Sequence, residues 1–359
     1  MRSIFFWEEA GLSLTDANPY GGLLARGLAR SGVELLAGYA NEFDREWVLA
    51  NRGRVDVLHL NWPHYLYDAP DLAGRVERLA ALIDNLALAR ELGYKIVWTV
   101  HNLFPHDSST PDLDRLARLA ITQLSTALIA HCQYSRTLVQ RHFHRSDGLF
   151  VIPHGHFMDV YPNTVSRQRA RQKYGIGEDN FVYLFFGNVR PYKGLEKLLD
   201  VFCSLPDDHL RLLLAAKVYN EYGEQFVAHA RQRDPRIIVH PSRFFANEEF
   251  QDFFNAADVS VLPFVDVLTS GSAITALGFG QPLITPGVGC LPELVDNTMG
   301  ILYDPKRPDL KQPDVLEEAM VAIQTRDQQA MRQAAFQRAR SLDWDEIGRR
   351  TLAAYRHGG

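Results

Sequence analysis

A strand, a tight turn and a helix follow one another between residues 181 and 202, and this segment constrains the fold more than any other. Phe181 to Phe186 is an unbroken β-branched and aromatic run, which is typical of a strand buried on both faces of a parallel sheet. Gly187 follows in a turn, and apolar residues then recur at helical spacing, at Leu195, Leu198, Leu199 and Phe202. The turn therefore directs backbone N–H groups and the positive end of a helix towards one place above the strand, where an anion is the expected ligand.

Four residues of this turn are candidate ligands for an anion. Arg190 and Lys193 add two positive charges to the backbone groups of Gly187 and Asn188, and a diphosphate would use both side chains. The alternative interpretation is an ordinary β–α turn with solvated basic residues.

Length and composition indicate a folded globular protein of two domains. The chain has 359 residues, more than a single core usually holds, with 46% hydrophobic and 23% charged residues. A net charge of −5 gives no support to a nucleic-acid partner. The three cysteines fit no zinc-binding spacing, and no run approaches the ~20 apolar residues of a transmembrane helix. We expect a cytoplasmic protein.

Strands and helices alternate along the whole chain, which favours two doubly wound parallel sheets and the α/β class. The predicted strands cover residues 4–7, 55–60, 95–100, 127–131 and 149–153, and then 181–186, 210–215, 237–240, 259–263 and 282–285. We place the domains at residues 1–163 and 164–342, with the polar and basic segment 161–171 as the linker. A last helix within 343–359 could cross back to the first domain.

Histidine and aromatic side chains concentrate at the strand ends of the first half. The histidines are His59, His64, His101, His106, His131, His154 and His156. Each alone is more often structural, but ligands of open α/β sheets bind at this edge, so their convergence favours a site. His154 and His156 could ligate a metal, but no carboxylate or cysteine stands at a suitable offset, and we expect no metal.

A second candidate anion site lies in the second half, where Ser270, Gly271 and Ser272 open a helix. The alternative is a serine N-cap without a ligand. No Walker loop is present and no GxGxxG follows the first strand, so ATP and NAD are poor candidates.

The chain resembles the GT-B glycosyltransferases over nearly its whole length. Residues 187–194 are similar to the donor-diphosphate loop of the family-4-like transferases, residues 276–282 to the helix–turn–strand step after their catalytic region, and residues 292–295 to the loop beyond. The similarity is closer to the β-1,4-mannosyltransferases of xanthan-type exopolysaccharide assembly. It is carried, in this order, by residues 18–20, 58–63, 101–107, 154–156 and 190–194.

The resemblance implies two Rossmann-like domains that face a central cleft, an acceptor-binding one and a nucleotide-sugar-binding one. Such enzymes transfer a sugar, here with GDP-mannose favoured, to a lipid-linked oligosaccharide at the inner face of the membrane, without a cofactor or metal. The donor residues implied are Gly187, Asn188, Arg190, Lys193, Arg243, Ser270, Gly271, Ser272, Thr275 and Glu293. The acceptor or cleft residues are Asn18, Tyr20, Trp62, His64, His106, His154 and His156.

The same resemblance suggests peripheral attachment to the membrane. First-domain aromatic and basic side chains could rest among the lipid headgroups, namely Trp62, Tyr65, Tyr67, Arg75 and Arg78.

One departure from the family pattern bears on the reaction. Retaining family-4 enzymes carry two glutamates eight positions apart, and Val267 and Thr275 stand at these positions here. We therefore expect inversion, which requires one base to deprotonate the acceptor. Asp107 is the first candidate for this base and His101 the second. The alternatives are a retaining transferase with another donor, such as a UDP-sugar, and a catalytically silent sugar-nucleotide-binding protein.

Overall fold

The computed structural model describes residues 1–6, 12–15, 18–105, 108–307 and 314–358. It divides the chain into a first unit, Met1–Gly155 with Leu342–Gly359, and a second unit, His156–Ser341. The sequence had suggested divisions after residues 163 and 342. In the structure the second unit already begins at His156.

A six-stranded parallel sheet forms the centre of the first unit, in the order β2-β1-β3-β4-β5-β6. The strands are β1 (Arg2–Phe6), β2 (Glu34–Gly38), β3 (Val57–Leu60), β4 (Lys95–Val100), β5 (Ala127–Ala130) and β6 (Leu149–Val151). All five strands predicted in this half are present, although Trp7 lies outside the described residues. The edge strand β2 was not predicted, because it is five residues long and partly exposed, and its apolar stretch is only Leu35 to Ala37.

Helices cover this sheet. They are α1 (Tyr20–Arg30), α2 (Arg45–Ala50), α3 (Leu72–Glu91), α4 (Pro111–Leu124) and α5 (Gln133–Phe143). Aspartates begin two of them: the Asp44 carboxylate accepts a hydrogen bond from Trp47 N in α2, and Asp71 accepts one from Gly74 N in α3. Such caps satisfy backbone N–H groups that the first helical turn leaves without partners.

The second unit contains another six-stranded parallel sheet, in the order β12-β11-β10-β7-β8-β9. The strands are β7 (Phe181–Asn188), β8 (Leu210–Lys217), β9 (Ile237–Ser242), β10 (Val259–Val261), β11 (Leu283–Pro286) and β12 (Gly300–Tyr303). The helices are α6 (Arg167–Lys173), α7 (Leu195–Ser204), α8 (Glu221–Arg233), α9 (Phe250–Ala256), α10 (Gly271–Gly278), α11 (Leu291–Leu294), α12 (Val315–Gln324) and α13 (Gln328–Arg340). The fully buried apolar residues of β7 lie at the centre of its core, as the opening sequence feature predicts.

The predicted linker at residues 161–171 is wrong, because its second half is the helix α6 of the second unit. Arg171 in α6 is fully buried, and its guanidinium donates to the Asp258 carboxylate at 2.8 Å. Arg167 pairs with the other oxygen of the same carboxylate at 2.5 Å. Arg171 therefore forms a buried ion pair, whereas Arg167 remains 40% exposed beside it.

The last helix, α14 (Trp344–Arg356), belongs to the first unit and packs against α1, β4 and β5. Its Tyr355 hydroxyl lies 2.7 Å from His59 Nδ1, and Ser3 Oγ donates to the same hydroxyl at 3.4 Å. These bonds connect the helix to the buried strands β1 and β3.

Within the described ranges, no helix is both long enough and apolar enough to cross a lipid bilayer.

Removing the charge of Asp258 is expected to destabilise the protein strongly. Asp258→Asn keeps the shape of the side chain but leaves the Arg171 guanidinium buried without a carboxylate, which costs about 3–5 kcal/mol of unfolding free energy. Urea unfolding followed by circular dichroism measures this loss. Asp200→Asn is the matched control, because its ion pair with Arg233 is exposed and should contribute at most about 1 kcal/mol. Equal effects of the two substitutions would contradict the structural role of Asp258.

Candidate functional site

The turn after β7 is shaped by two glycines. Gly194 has a φ of +69°, and a Cβ on it would lie 2.1 Å from the Pro263 carbonyl oxygen, so only glycine fits at the start of α7. A Cβ on Gly187 would lie 3.1 Å from Ser272 Oγ. The structure thus brings together the two segments that the sequence proposed separately as anion sites, the turn after β7 and the start of α10.

Lys193 is the buried cation of this site. It lies in the 3₁₀ turn Pro191–Lys193, is 8% exposed, and holds its Nζ 4.4 Å from the ring centroid of Phe264 and 5.1 Å from that of Tyr192. In the described part of the chain no carboxylate lies within ion-pair distance of this Nζ. Burial lowers the pKa of Lys193 to about 8, so the ammonium is still mostly protonated at neutral pH. A buried cation without a carboxylate partner favours an anionic ligand.

The other residues of the turn are partly accessible. Asn188 ends β7 and Arg190 precedes the 3₁₀ turn, and both side chains are half-buried. They lie at the carboxyl edge of the sheet, where ligands of open α/β folds bind.

The start of α10 combines capping with accessible backbone. The Ser270 hydroxyl accepts a hydrogen bond from Ala273 N at 3.2 Å, so this serine acts as an N-cap. Gly271 is exposed and Ser272 is half-buried. Thr275 is buried, and its hydroxyl donates to the Gly271 carbonyl at 2.8 Å. Ser270 and Thr275 therefore stabilise the helix, whereas Gly271 and Ser272 remain accessible to a ligand.

Arg243 and Glu293 are exposed. Arg243 follows β9, beside Phe244, and Glu293 lies in α11, where its backbone carbonyl accepts from Arg338 at 2.7 Å. Neither side chain is held in one conformation by burial.

Aromatic rings converge on Tyr20 in the first unit. The Tyr20 ring centroid lies 4.8 Å from that of His101 and 4.9 Å from that of His154. Trp62 stacks on His101 with centroids 4.0 Å apart and planes at 10°. Four predicted residues, Tyr20, Trp62, His101 and His154, thus form one cluster.

The cluster has two further members, His131, which is one of the strand-end histidines named from the sequence, and Trp344, which the sequence did not indicate. His131 Nδ1 donates to the Ile152 carbonyl at 2.9 Å, which leaves Nε2 to accept from His101 Nδ1 at 3.3 Å. The Trp344 ring centroid lies 5.5 Å from that of Tyr20, and Gly155 makes room for this indole, since a Cβ there would be 2.2 Å from it. Strand-end position indicated His131, but nothing local to Trp344 indicates its contact with Gly155, nearly two hundred positions away.

Both ring nitrogens of His101 have partners. Nδ1 donates to His131, and the unprotonated Nε2 accepts from the Asn61 amide at 3.0 Å when that amide is oriented with its NH₂ group towards the ring. A proton from an acceptor hydroxyl would reach His101 only if one of these bonds broke. The geometry favours a positioning role for His101 over that of a base.

Burial keeps this histidine cluster uncharged. It lowers the pKa of His131 to about 4 and those of His59 and His154 to about 3, and it lowers the pKa of His101 well below its ordinary value. His59 is held neutral between Thr99 and Tyr355, each at 2.7 Å. The cluster is a polar but neutral surface at physiological pH.

The remaining predicted residues lie outside this cluster or outside the described chain. Asn18 Oδ1 accepts from Tyr20 N at 3.2 Å, and the His64 ring packs on Tyr65 with centroids 4.1 Å apart. His156 belongs to the second unit, where its Nδ1 accepts from Met158 N at 3.3 Å. His106 and Asp107 lie outside the described residues.

Part of the predicted membrane-contact surface is wrong. Tyr67 is only 2% exposed, and its hydroxyl donates to the Asp114 carboxylate. The Arg75 guanidinium donates hydrogen bonds to the Ala69 carbonyl at 3.0 Å and to the Thr110 hydroxyl at 3.1 Å. These two side chains hold loops together and are not available to lipid headgroups.

Across the ranges the structure describes, no three His, Cys, Asp or Glu side chains are arranged to hold a metal ion. Metal-independent chemistry stays a prediction.

Comparison with known proteins identifies the fold and one domain. Residues 180–324 match the family described as Glycosyl transferases group 1. The chain has the fold of a sucrose-phosphate synthase from Thermosynechococcus elongatus, with a TM-score of 0.73 and 17% identity over 99% of this chain and 98% of that one. It is also similar to Anabaena HepE in complex with UDP and glucose, with a TM-score of 0.70 and 17% identity over 98% of each chain.

Among curated relatives, the chain is similar to the GDP-mannose:glycolipid 4-beta-D-mannosyltransferase of Xanthomonas campestris pv. campestris. The two are 30% identical over 233 residues, which are 65% of this chain and 62% of that protein. The match thus spans less than two thirds of the relative's length. The predicted GT-B class is confirmed, and the chain carries a group 1 glycosyltransferase domain.

The buried histidines should make stability depend on pH. Because their pKa values are lowered in the folded state, the unfolded chain binds more protons below pH 6.5, and stability is lost as the pH falls towards about 4. Each histidine contributes up to about 1.4 kcal/mol per pH unit in that window. Urea unfolding at half-unit steps from pH 7.5 to 5.0 measures the slope.

A pair of variants tests the assignment of this slope. His131→Gln should reduce it by about one histidine's share, whereas His209→Gln, at an exposed position, should leave it unchanged. A stability that stays constant from pH 7.5 to 5.0 would contradict the neutral cluster.

Proposed function

We propose that the protein is a glycosyltransferase that moves mannose from GDP-mannose to a lipid-linked oligosaccharide, with inversion at the anomeric carbon. The observation that carries the proposal is the buried Lys193 ammonium, which lacks a carboxylate partner in the described chain. It follows the Gly187 turn, against which Ser272 packs. A nucleoside diphosphate supplies the negative charge that such a site requires.

The leaving diphosphate gains charge as the glycosidic bond breaks. Lys193, Arg190 and the backbone N–H groups at Gly271 and Ser272 are suited to stabilise this charge, because they belong to rigid elements and need little reorganisation. We propose that they act without a metal ion.

The nucleotide base of the donor and the nature of the acceptor are inferred from the relatives. The name of the Xanthomonas protein specifies GDP-mannose and a glycolipid, and these support a GDP-mannose donor and a lipid-linked acceptor here. A UDP-sugar is the second candidate, since HepE is described in complex with UDP. With a lipid-linked acceptor, the protein would work at the inner face of the membrane as a peripheral protein, through surface other than Tyr67 and Arg75.

Inversion is supported by the two residues that replace the retaining glutamates. Val267 is buried in the core of the second unit, and the Thr275 hydroxyl is engaged with the Gly271 carbonyl. Neither offers a carboxylate to the donor sugar or ribose. An inverting displacement needs only a base on the acceptor side.

Asp107 is our first choice for that base and lies outside the described residues. His101 is less suited, because both of its nitrogens are engaged. We propose that the His101 cluster orients the acceptor sugar and that Asp107 accepts its proton.

Loss of the buried cation should abolish most of the transfer activity. Lys193→Met keeps the packing on Phe264 but removes the charge, and we expect transfer from GDP-mannose, measured in EDTA, to fall by about 10²–10³-fold. Radiolabelled transfer to a membrane extract containing the lipid-linked acceptor measures this.

Lys197→Met is the control, since Lys197 lies in the same unit and pairs with Asp314 at 2.9 Å. Near-normal transfer by a folded Lys193→Met protein would refute the assignment of the diphosphate site. Loss of wild-type transfer in EDTA, restored by Mg²⁺, would refute metal independence.

The stereochemical prediction is that the new linkage is β. Asp107→Asn should lower turnover about 10²–10⁴-fold with GDP affinity unchanged, because the donor binds to the second unit. NMR of the product's anomeric centre and calorimetry with GDP measure the two quantities. Asp112→Asn, a nearby exposed aspartate, is the control. An α-linked product would exclude inversion, and a fully active Asp107→Asn would exclude Asp107 as the base.

A further inference from the structure

Lys217, the last residue of β8, is a second cation of the sheet edge. Its Nζ lies over three phenylalanine rings, 5.6 Å from the centroid of Phe250, 5.7 Å from Phe186 and 6.0 Å from Phe245. No carboxylate in the described residues comes within ion-pair distance of it. Burial lowers its pKa, because the ammonium has lost part of its hydration, while the ring faces attract its charge. The side chain is nevertheless half-accessible, and a ligand can reach it.

The strand register places Lys217 between two parts of the predicted donor site. It pairs with Asn188 of β7 on one side and with Ser242 of β9 on the other. Neighbouring strands lie about 4.8 Å apart, so the ends of β7 and β9 are separated by roughly 10 Å. The predicted donor residue Arg243 directly follows Ser242, so a nucleotide that extends from the β7 turn to Arg243 must cross the end of β8.

The surroundings of Lys217 suit a base better than a phosphate. Phe244, two residues beyond Ser242, is 49% exposed and offers a ring on which a base can stack. The diphosphate already has Lys193, which lies on the opposite side of β7, over Phe264 at the end of β10. Since Lys217 lies on the β9 side of β7, near the exposed Phe244, the group that it would reach is the base, whose carbonyl oxygens accept hydrogen bonds.

We propose that Lys217 donates a hydrogen bond to a ring carbonyl oxygen of the donor's base, and so selects guanine or uracil nucleotides over adenine nucleotides. This inference rests on the proposed function, because it assumes a nucleoside diphosphate at the β7 turn. It assigns base selection to a residue of β8, separate from the cations that bind the phosphates.

Calorimetric titration with IDP and ADP tests the proposal, since these purine diphosphates differ at position 6, where one carries an oxo group and the other an amino group. The wild-type protein should bind IDP, GDP and UDP more tightly than ADP. Lys217→Met retains an unbranched apolar stem on the phenylalanine rings. We expect this variant to bind IDP, GDP and UDP about tenfold more weakly and to bind ADP with unchanged affinity.

Three further variants separate the possible causes. Lys217→Arg keeps a donor and should preserve the preference for IDP over ADP. Lys193→Met should weaken all four diphosphates by the same factor, and Lys306→Met, on an exposed turn after β12, should change none. Melting temperatures establish that each variant is folded.

The proposal falls if the ratio of IDP to ADP affinity is the same in Lys217→Met as in the wild type, including the case where all four ligands weaken equally. If that happens while Lys193→Met still weakens binding, the donor site stands and only base selection by Lys217 is refuted. If the wild-type protein binds none of the four diphosphates, the proposed function itself is refuted.

Discussion

The second unit is assembled around one carboxylate, that of Asp258. It accepts hydrogen bonds from Arg171 and Arg167 of α6 and from the backbone N–H of Val182 at 2.8 Å, near the start of β7. Arg332 of α13 adds a donor to the Ala257 carbonyl at 2.7 Å. Ala257 and Asp258, just before β10, thus hold two helices and two adjacent strands at their amino ends. The carboxyl ends of the same strands carry the Gly187 turn and Phe264, so the alignment of the site depends on this ion-pair cluster.

The cationic side chains of the second unit differ in role, because Arg171 is paired with a carboxylate whereas Lys193 and Lys217 are not. Arg171 is fully buried and paired, because an unpaired guanidinium there would destabilise the fold by several kcal/mol. Lys193 is also buried and Lys217 is partly buried, but both ammonium groups lie over aromatic rings and neither has a carboxylate partner in the described chain. Without a counterion of their own, the two cations are suited to a ligand, an anion at Lys193 and a hydrogen-bond acceptor at Lys217.

Sequence reasoning was accurate where one segment determines its own structure and failed where distant residues decide. The continuous apolar run of β7 needs no partner to be recognised, and the Gly194 turn follows from local constraints. The edge strands β2 and β12 were missed, because they are only five and four residues long and partly exposed, so their few apolar residues do not stand out from the neighbouring loops. The helix α6 was interpreted as a linker because its polar composition hides Arg171, whose partner Asp258 stands 87 positions later. Trp344 was missed for the same reason, since its contact with Gly155 crosses most of the chain.

The departure from the retaining pattern is built into the packing of the second unit. Val267 lies in the core, and a Cβ on Gly289 would be 2.0 Å from its carbonyl oxygen. Cys290 N donates to the neighbouring Leu268 carbonyl at 2.9 Å, so the turn at residues 289–290 holds this segment against the core. The Val267 side chain is itself only 5% exposed, so a carboxylate in its place would be buried, which costs several kcal/mol unless it is paired. The absence of the glutamate is therefore supported by neighbouring residues, and this argues that the chain uses a different arrangement of catalytic groups.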